Sequence, residues 1–120
     1  MRTDDLYLQD ISVALSAIGD FVSGIEKETF LEVDLIRSAV IQKFTIIGEA
    51  ASKISNTVQD DHPEIDWKTL KAFRNLLVHA YFQTTFVRVW NAAKDIDDLK
   101  QKIDAIIALR CPNTLEVKNQ

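Results

Sequence analysis

The chain has 120 residues, 47% of them apolar and 27% charged, which suits one globular domain and excludes wholesale disorder. Three glycines and two prolines are too few for the many turns of a β-sandwich or an α/β sheet. The single cysteine, Cys111, excludes an internal disulfide and a cysteine-rich metal site. Net charge is −4, but Trp67–Lys94 holds no acid and five cations: Lys68, Lys71, Arg74, Arg88 and Lys94. The other nine of the fourteen bases lie among all eighteen acids, so an acidic body carries one basic quarter. That quarter reads either as a local anion site or as ordinary clustering on solvated helix faces. Asp4, Asp5, Asp10 and Asp20 interrupt the opening residues, so no signal peptide is expected, and no run is long and apolar enough for a membrane span. The expected setting is cytoplasmic, without membrane contact.

The first helix is expected from about Asp4 to Ser23, entered from Thr3 as N-cap with two acids in its first turn. Its apolar stripe is Ile11, Ala14, Leu15, Ile18, Phe21, Val22 and Ile25. A second helix is expected from Asp34 to about Val58. Val40, Phe44, Ile47, Ala51, Ile54 and Val58 form a heptad-like seam there. Gly48 interrupts this helix at a cost of about 1 kcal/mol relative to Ala, which points to close approach by a neighbouring helix. A polar connector follows, with His62 as an exposed loop residue. Asp66 then caps a third helix, Trp67 to about His79, with Leu70, Phe73, Leu76 and Leu77 inward. Thr84 or Thr85 caps a fourth, which runs to about Leu109 and ends at Cys111-Pro112. Trp67 and Trp90 fall at core spacing. The fold expected is an all-α, up-down four-helix bundle over residues 1–110, followed by a flexible tail, 111–120.

Several chemistries have no residues to carry them. There is no Gly-rich phosphate loop, no His-x-x-x-His pair and no paired Glu-x-x-His, so neither a nucleotide-type cofactor nor a bound metal is expected. The run Arg74-Asn75-Leu76-Leu77-Val78-His79-Ala80-Tyr81 stands out inside the acid-free window. On an α-helix, Asn75 and His79 share a face, while Arg74 lies about 140° from His79. A permanent cation, an amide and an imidazole within one and a half turns suit cleavage of a phosphodiester. Arg stabilises charge on the phosphate oxygens, and His moves protons near neutrality. RNA supplies its own 2′-hydroxyl nucleophile. The plain alternative is that Arg74 and His79 cap carbonyls at a helix end.

This segment resembles the Arg-x4-His-x-Tyr signature of HEPN domains, in particular the HepT-like toxins. Tyr7-Leu8-Gln9-Asp10-Ile11, Ile46-Ile47-Gly48-Glu49-Ala50-Ala51, His62-Pro63-Glu64-Ile65-Asp66-Trp67 and Val89-Trp90 follow the family's order, so the resemblance spans about residues 4 to 107. Ala72-Phe73, Leu76 and Ala80 depart from the family's pattern without removing a proposed catalytic group. The resemblance implies a helical homodimer whose two motifs face one cleft and act as a metal-independent endoribonuclease, with tRNA among the targets. It also implies a partner, an MntA-type nucleotidyltransferase antitoxin that transfers AMP to the signature tyrosine. Carried over, Arg74, His79 and Asn75 are the catalytic residues and Tyr81 is the modification site. The charge map adds Lys68, Lys71 and Arg88 as RNA-backbone contacts, with solvated surface as the alternative for Lys68 and Lys71. A non-catalytic helical dimer that binds a nucleotidyltransferase or a nucleotide is the competing function. Glu49 has no assigned role.

Overall fold

The computed structural model describes residues 2–79 and 82–110. Cys111, Pro112 and the expected tail lie outside the described residues. Helix α1 (Asp4–Val22) buries Leu8, Ile11, Ala14, Leu15, Ile18 and Val22. Phe21, expected inward, is 38% exposed. It sits at the stripe's edge, about 60° from Ile18 around the helix. Thr3 occupies the N-cap position with extended backbone but makes no side-chain cap bond. The acids that follow it tie α1 to distant elements instead. The Asp4 carboxylate accepts from the Ser55 amide and hydroxyl, both at 2.8 Å, and Asp5 accepts from Nε of Arg110.

Gly24, at φ +74°, turns the chain out of α1 in a conformation that favours glycine. It leads into a short helix that the periodicity did not reveal, α2 (Lys27–Glu32). Six residues are too few for an amphipathic signal, yet Phe30 is fully buried with its ring 5.3 Å from that of Trp90. The long helix α3 (Asp34–Lys53) follows. Arg37, in its first turns, donates to the Leu31 carbonyl and lies over the Phe86 ring at 4.5 Å, joining the α2–α3 corner to the next-to-last helix.

The expected second helix does not run unbroken to Val58. It ends at Lys53, and Ser55 caps a separate α4 (Asn56–Asp61) by accepting from the Val58 amide. Asp4 anchors that break from outside. The third expected helix is also two pieces: α5 (Trp67–Ala72), then a 3₁₀ segment from Phe73 to His79. The fourth is α6 (Gln83–Lys94) and α7 (Asp97–Arg110). Neither threonine caps α6. Phe82 holds the N-cap position, and Thr85 is a buried residue inside the helix. The α6–α7 break puts Asp97 and Asp98 in the first turn of α7, where the helix dipole favours acids.

Among the described residues every regular element is helical, as expected for an all-α fold. α1 packs chiefly on α3 and α7; α6 lies across α1, α2 and α3; and α5 with the 3₁₀ segment rests on α3. Ile47, Ile103 and Ile106 lie fully inside with the α1 stripe. Trp67 and Trp90 are both buried, as core spacing requires, and the Trp67 indole N–H donates to the His62 carbonyl at 3.0 Å. Among the described residues no helix is long and apolar enough to cross a membrane.

Candidate active site

The site begins at its cap. One Asp66 oxygen accepts from the Thr69 amide at 3.1 Å and the other from the Thr69 hydroxyl at 2.7 Å. The Thr69 hydroxyl and then its amide hold the Asp66 carboxyl below its usual range. Just before it, His62 is half-buried rather than exposed as expected. Its Nδ1 lies 3.1 Å from Oε2 of Glu64. The Glu64 carboxyl is also held low, first by its own backbone amide and then by His62. These contacts fix the point at which α5 starts, and so the phase in which it reaches the motif.

At Phe73 the helix tightens to 3₁₀ winding, which changes the geometry of the motif. With 3.0 residues per turn, residues three apart are eclipsed. Exposure follows that period. Phe73 and Leu76 are half-buried against the core, whereas Arg74, Asn75, Leu77 and Val78 are exposed. Leu77, expected inward, is therefore an outward residue. The shared face expected for Asn75 and His79 is also corrected, because on 3₁₀ winding they stand about 120° apart. His79 instead continues the row of Phe73 and Leu76 past the edge of the core. It is exposed, with its ring 6.2 Å from that of Phe82. Arg74 and His79 are separated by about 10 Å of rise and about 120° of rotation. One chain thus presents them apart, on different rows of the exposed segment.

Among the described residues no side chain hydrogen-bonds or ion-pairs with the Arg74 guanidinium or the Asn75 amide, and neither caps a helix carbonyl. Lys68 is exposed and Lys71 half-exposed on α5, one turn apart on the approach to Arg74. Arg88 is on α6, a different element from the other expected contacts, and is exposed there. Lys94 lies over the Trp90 ring at 5.4 Å. Tyr81 lies outside the described residues.

What holds the 3₁₀ segment was only half legible beforehand. Gly48 does permit a close approach, and the approaching group is the motif's own main chain. A Cβ built on Gly48 would lie 2.2 Å from the Arg74 nitrogen and 2.9 Å from its Cα. One turn earlier on α3, the Phe44 ring meets that of Phe73 at 4.8 Å. Phe44, a residue of the expected seam, thus also supports the motif.

A cavity of about 550 Å³ lies on another side of α5, lined by Glu64, Asp66, Asp95 and Asp98 over an apolar floor that includes Phe44 and Phe73. Lys102 is the single cation of that lining. Four carboxylates there repel a phosphate, so this cavity is electrostatically unsuited to an anionic ligand. Among the described residues there is no cluster of three His, Cys, Asp or Glu side chains placed to hold a metal ion.

The sequence model of the ribonuclease HepT-like family matches residues 11–106. A Thermococcus cleftensis protein named "Probable ribonuclease HepT" is 39% identical over 106 residues, covering 88% of this chain and 96% of its own length. Two Methanocaldococcus jannaschii proteins, named "Putative RNase MJ1216" and "Putative RNase MJ1380", are 33% and 31% identical over 84% and 83% of this chain, and over 84% and 93% of their own lengths. No solved structure gives a significant match. The motif block, the all-helical fold around it and these relatives lead to one conclusion: the chain belongs to the ribonuclease HepT-like family.

Proposed function

We propose that this protein is a metal-independent endoribonuclease that cuts RNA, with tRNA as the substrate class, through Arg74 and His79. The observation that carries the reading is the exposed 3₁₀ segment packed on α3, which carries a guanidinium, an amide and an imidazole that are all open to solvent. In the reaction the RNA 2′-oxygen attacks the adjacent phosphorus. The O2′–P bond forms and the P–O5′ bond breaks. A base takes the 2′-hydroxyl proton, and an acid returns one to the departing O5′. The products are a 2′,3′-cyclic phosphate and a 5′-hydroxyl. Arg74 binds the non-bridging oxygens and stabilises their added charge. His79 serves as the base or the acid, and Asn75 orients the phosphate.

One chain offers a single His79 and sets Arg74 about 10 Å along the segment from it. A homodimer with two motifs facing one cleft supplies the second proton-transfer group, and this favours the dimeric form. Lys68, Lys71 and Arg88 are the RNA-backbone contacts in this reading. The toxin role follows the same logic. A nucleotidyltransferase antitoxin of the MntA type joins the Tyr81 phenol oxygen to the α-phosphorus of ATP and releases pyrophosphate. The new phosphate repels RNA from the cleft. The test is incubation of the unmodified protein with total tRNA, beside His79→Ala. Discrete fragments from the parent alone support the proposal. Intact tRNA in both lanes, with Tyr81 shown by mass spectrometry to be free of AMP, refutes it.

A further inference from the structure

We propose that Gly48 is a positioning residue for Arg74: the bare face it leaves on α3 is the seat on which the motif's main chain rests. The functional part of this inference rests on the ribonuclease reading above. The contact is backbone to backbone across two elements. A Cβ on Gly48 would stand 2.2 Å from the Arg74 nitrogen, 2.9 Å from its Cα and 2.9 Å from the Phe73 carbonyl carbon. Real side chains do not approach main chain so closely, and main chain cannot swing aside as the tip of a flexible side chain can. Any residue with a side chain at position 48 must therefore push the start of the 3₁₀ segment away.

The place of the contact matters. It falls where α5 gives way to 3₁₀ winding, so it bears on the phase of every side chain that follows. Four residues earlier on the same face of α3, Phe44 holds Phe73 at 4.8 Å. The seat thus has a large residue under Phe73 and no side chain under Arg74. No comparable demand exists at Gly19 in α1, where a Cβ would meet only Cδ1 of Ile96 at an ordinary 3.7 Å.

The test pairs Gly48→Ala with Gly19→Ala and reads tRNA cleavage per folded molecule, with thermal melting beside it. Gly19→Ala is expected to melt at or above the parent and to cleave as the parent does. Gly48→Ala is expected to lose about 100-fold in cleavage, mainly in kcat, because a misplacement of about 1 Å has that effect on an oriented group. In an Arg74→Ala background the same substitution is expected to change the residual rate by less than about threefold, since the group it positions is gone. Gly48→Ala cleaving within about threefold of the parent overturns the proposal. So does an undiminished loss in the Arg74→Ala background, which marks a general structural effect.

Amide hydrogen exchange on the parent provides a readout that needs neither a folded variant nor cleavage. The Arg74 amide, covered by α3, is expected to exchange at least about 50-fold more slowly than those of Leu77 and Val78. Equal rates overturn the seat. If the parent leaves tRNA intact while Arg74 is protected, the ribonuclease reading fails and the positioning claim stands on exchange.

Discussion

Replacing Phe44 by alanine tests the packing beneath the motif. Its side chain is 1% exposed and its ring meets that of Phe73 at 4.8 Å with an interplanar angle of 56°. Truncating a buried Phe to Ala removes about 3–5 kcal/mol, and a tilted ring pair contributes about 0.5–1.5 kcal/mol of that kind of stabilisation. Phe44 also borders the cavity of about 550 Å³, so the new void opens onto existing space. That places the expected loss near the lower end, about 3 kcal/mol. For a chain of this length about 1 kcal/mol corresponds to about 4 °C, so the melting temperature should fall by about 12 °C. The assay is thermal and urea unfolding at fixed protein concentration, because a dimer would make the midpoint depend on it. Phe44→Leu, which keeps most of the apolar volume, should lose no more than about 1.5 kcal/mol. A loss below about 1 kcal/mol for Phe44→Ala would refute the claim that this ring supports the 3₁₀ segment.

Two further expectations concern the cap and the charge map. The Asp66 carboxyl titrates below its usual range because it accepts from the Thr69 hydroxyl and amide. A depressed folded pKa gives stability that is fully present above the unfolded value, about 3.9, and is lost as pH falls through the folded value. Protection of the Thr69 amide should therefore stay flat above about pH 4 and decline only below it. In Asp66→Ala that pH dependence should disappear. Lys68→Ala and Lys71→Ala should each weaken RNA binding and lower the slope of log affinity against log salt by about 0.7–0.9 for each phosphate no longer neutralised. An unchanged slope would show these two lysines to be ordinary solvated surface.

The long-range order of the fold was legible because α1 and α3 obey the apolar period over 19 and 20 residues. Its breaks were less legible. Ser55 starts α4 through its own cap on the Val58 amide, but the contacts with Asp4, 51 residues away, that anchor the break are encoded in no local pattern. Asp97 and Asp98 were a readable helix start, but the apolar stripe runs through Ile96 without interruption and masked it. α2 depends on one ring, Phe30, whose partner Trp90 is distant in sequence. At the site, Arg74, Asn75 and His79 were found from their chemistry and from the family resemblance, but their mutual geometry was not. The 3₁₀ segment that starts at Phe73 packs on Phe44 and Gly48 of α3, and a sequence window on 67–79 does not contain them. Gly48 carried the one advance signal, a glycine where a helix gains nothing from it.

The most direct test of the central claim is the end-group analysis of RNA fragments made in EDTA by the parent, Arg74→Ala and His79→Ala. Arg74 and His79 are exposed, so both variants should melt within about 0.5 kcal/mol of the parent and remain comparable as folded proteins. The account predicts 2′,3′-cyclic phosphate and 5′-hydroxyl ends from the parent, no fragments from His79→Ala and only a small residual amount from Arg74→Ala. Cleavage that persists in both variants, or fragments ending in 5′-phosphate, would contradict it.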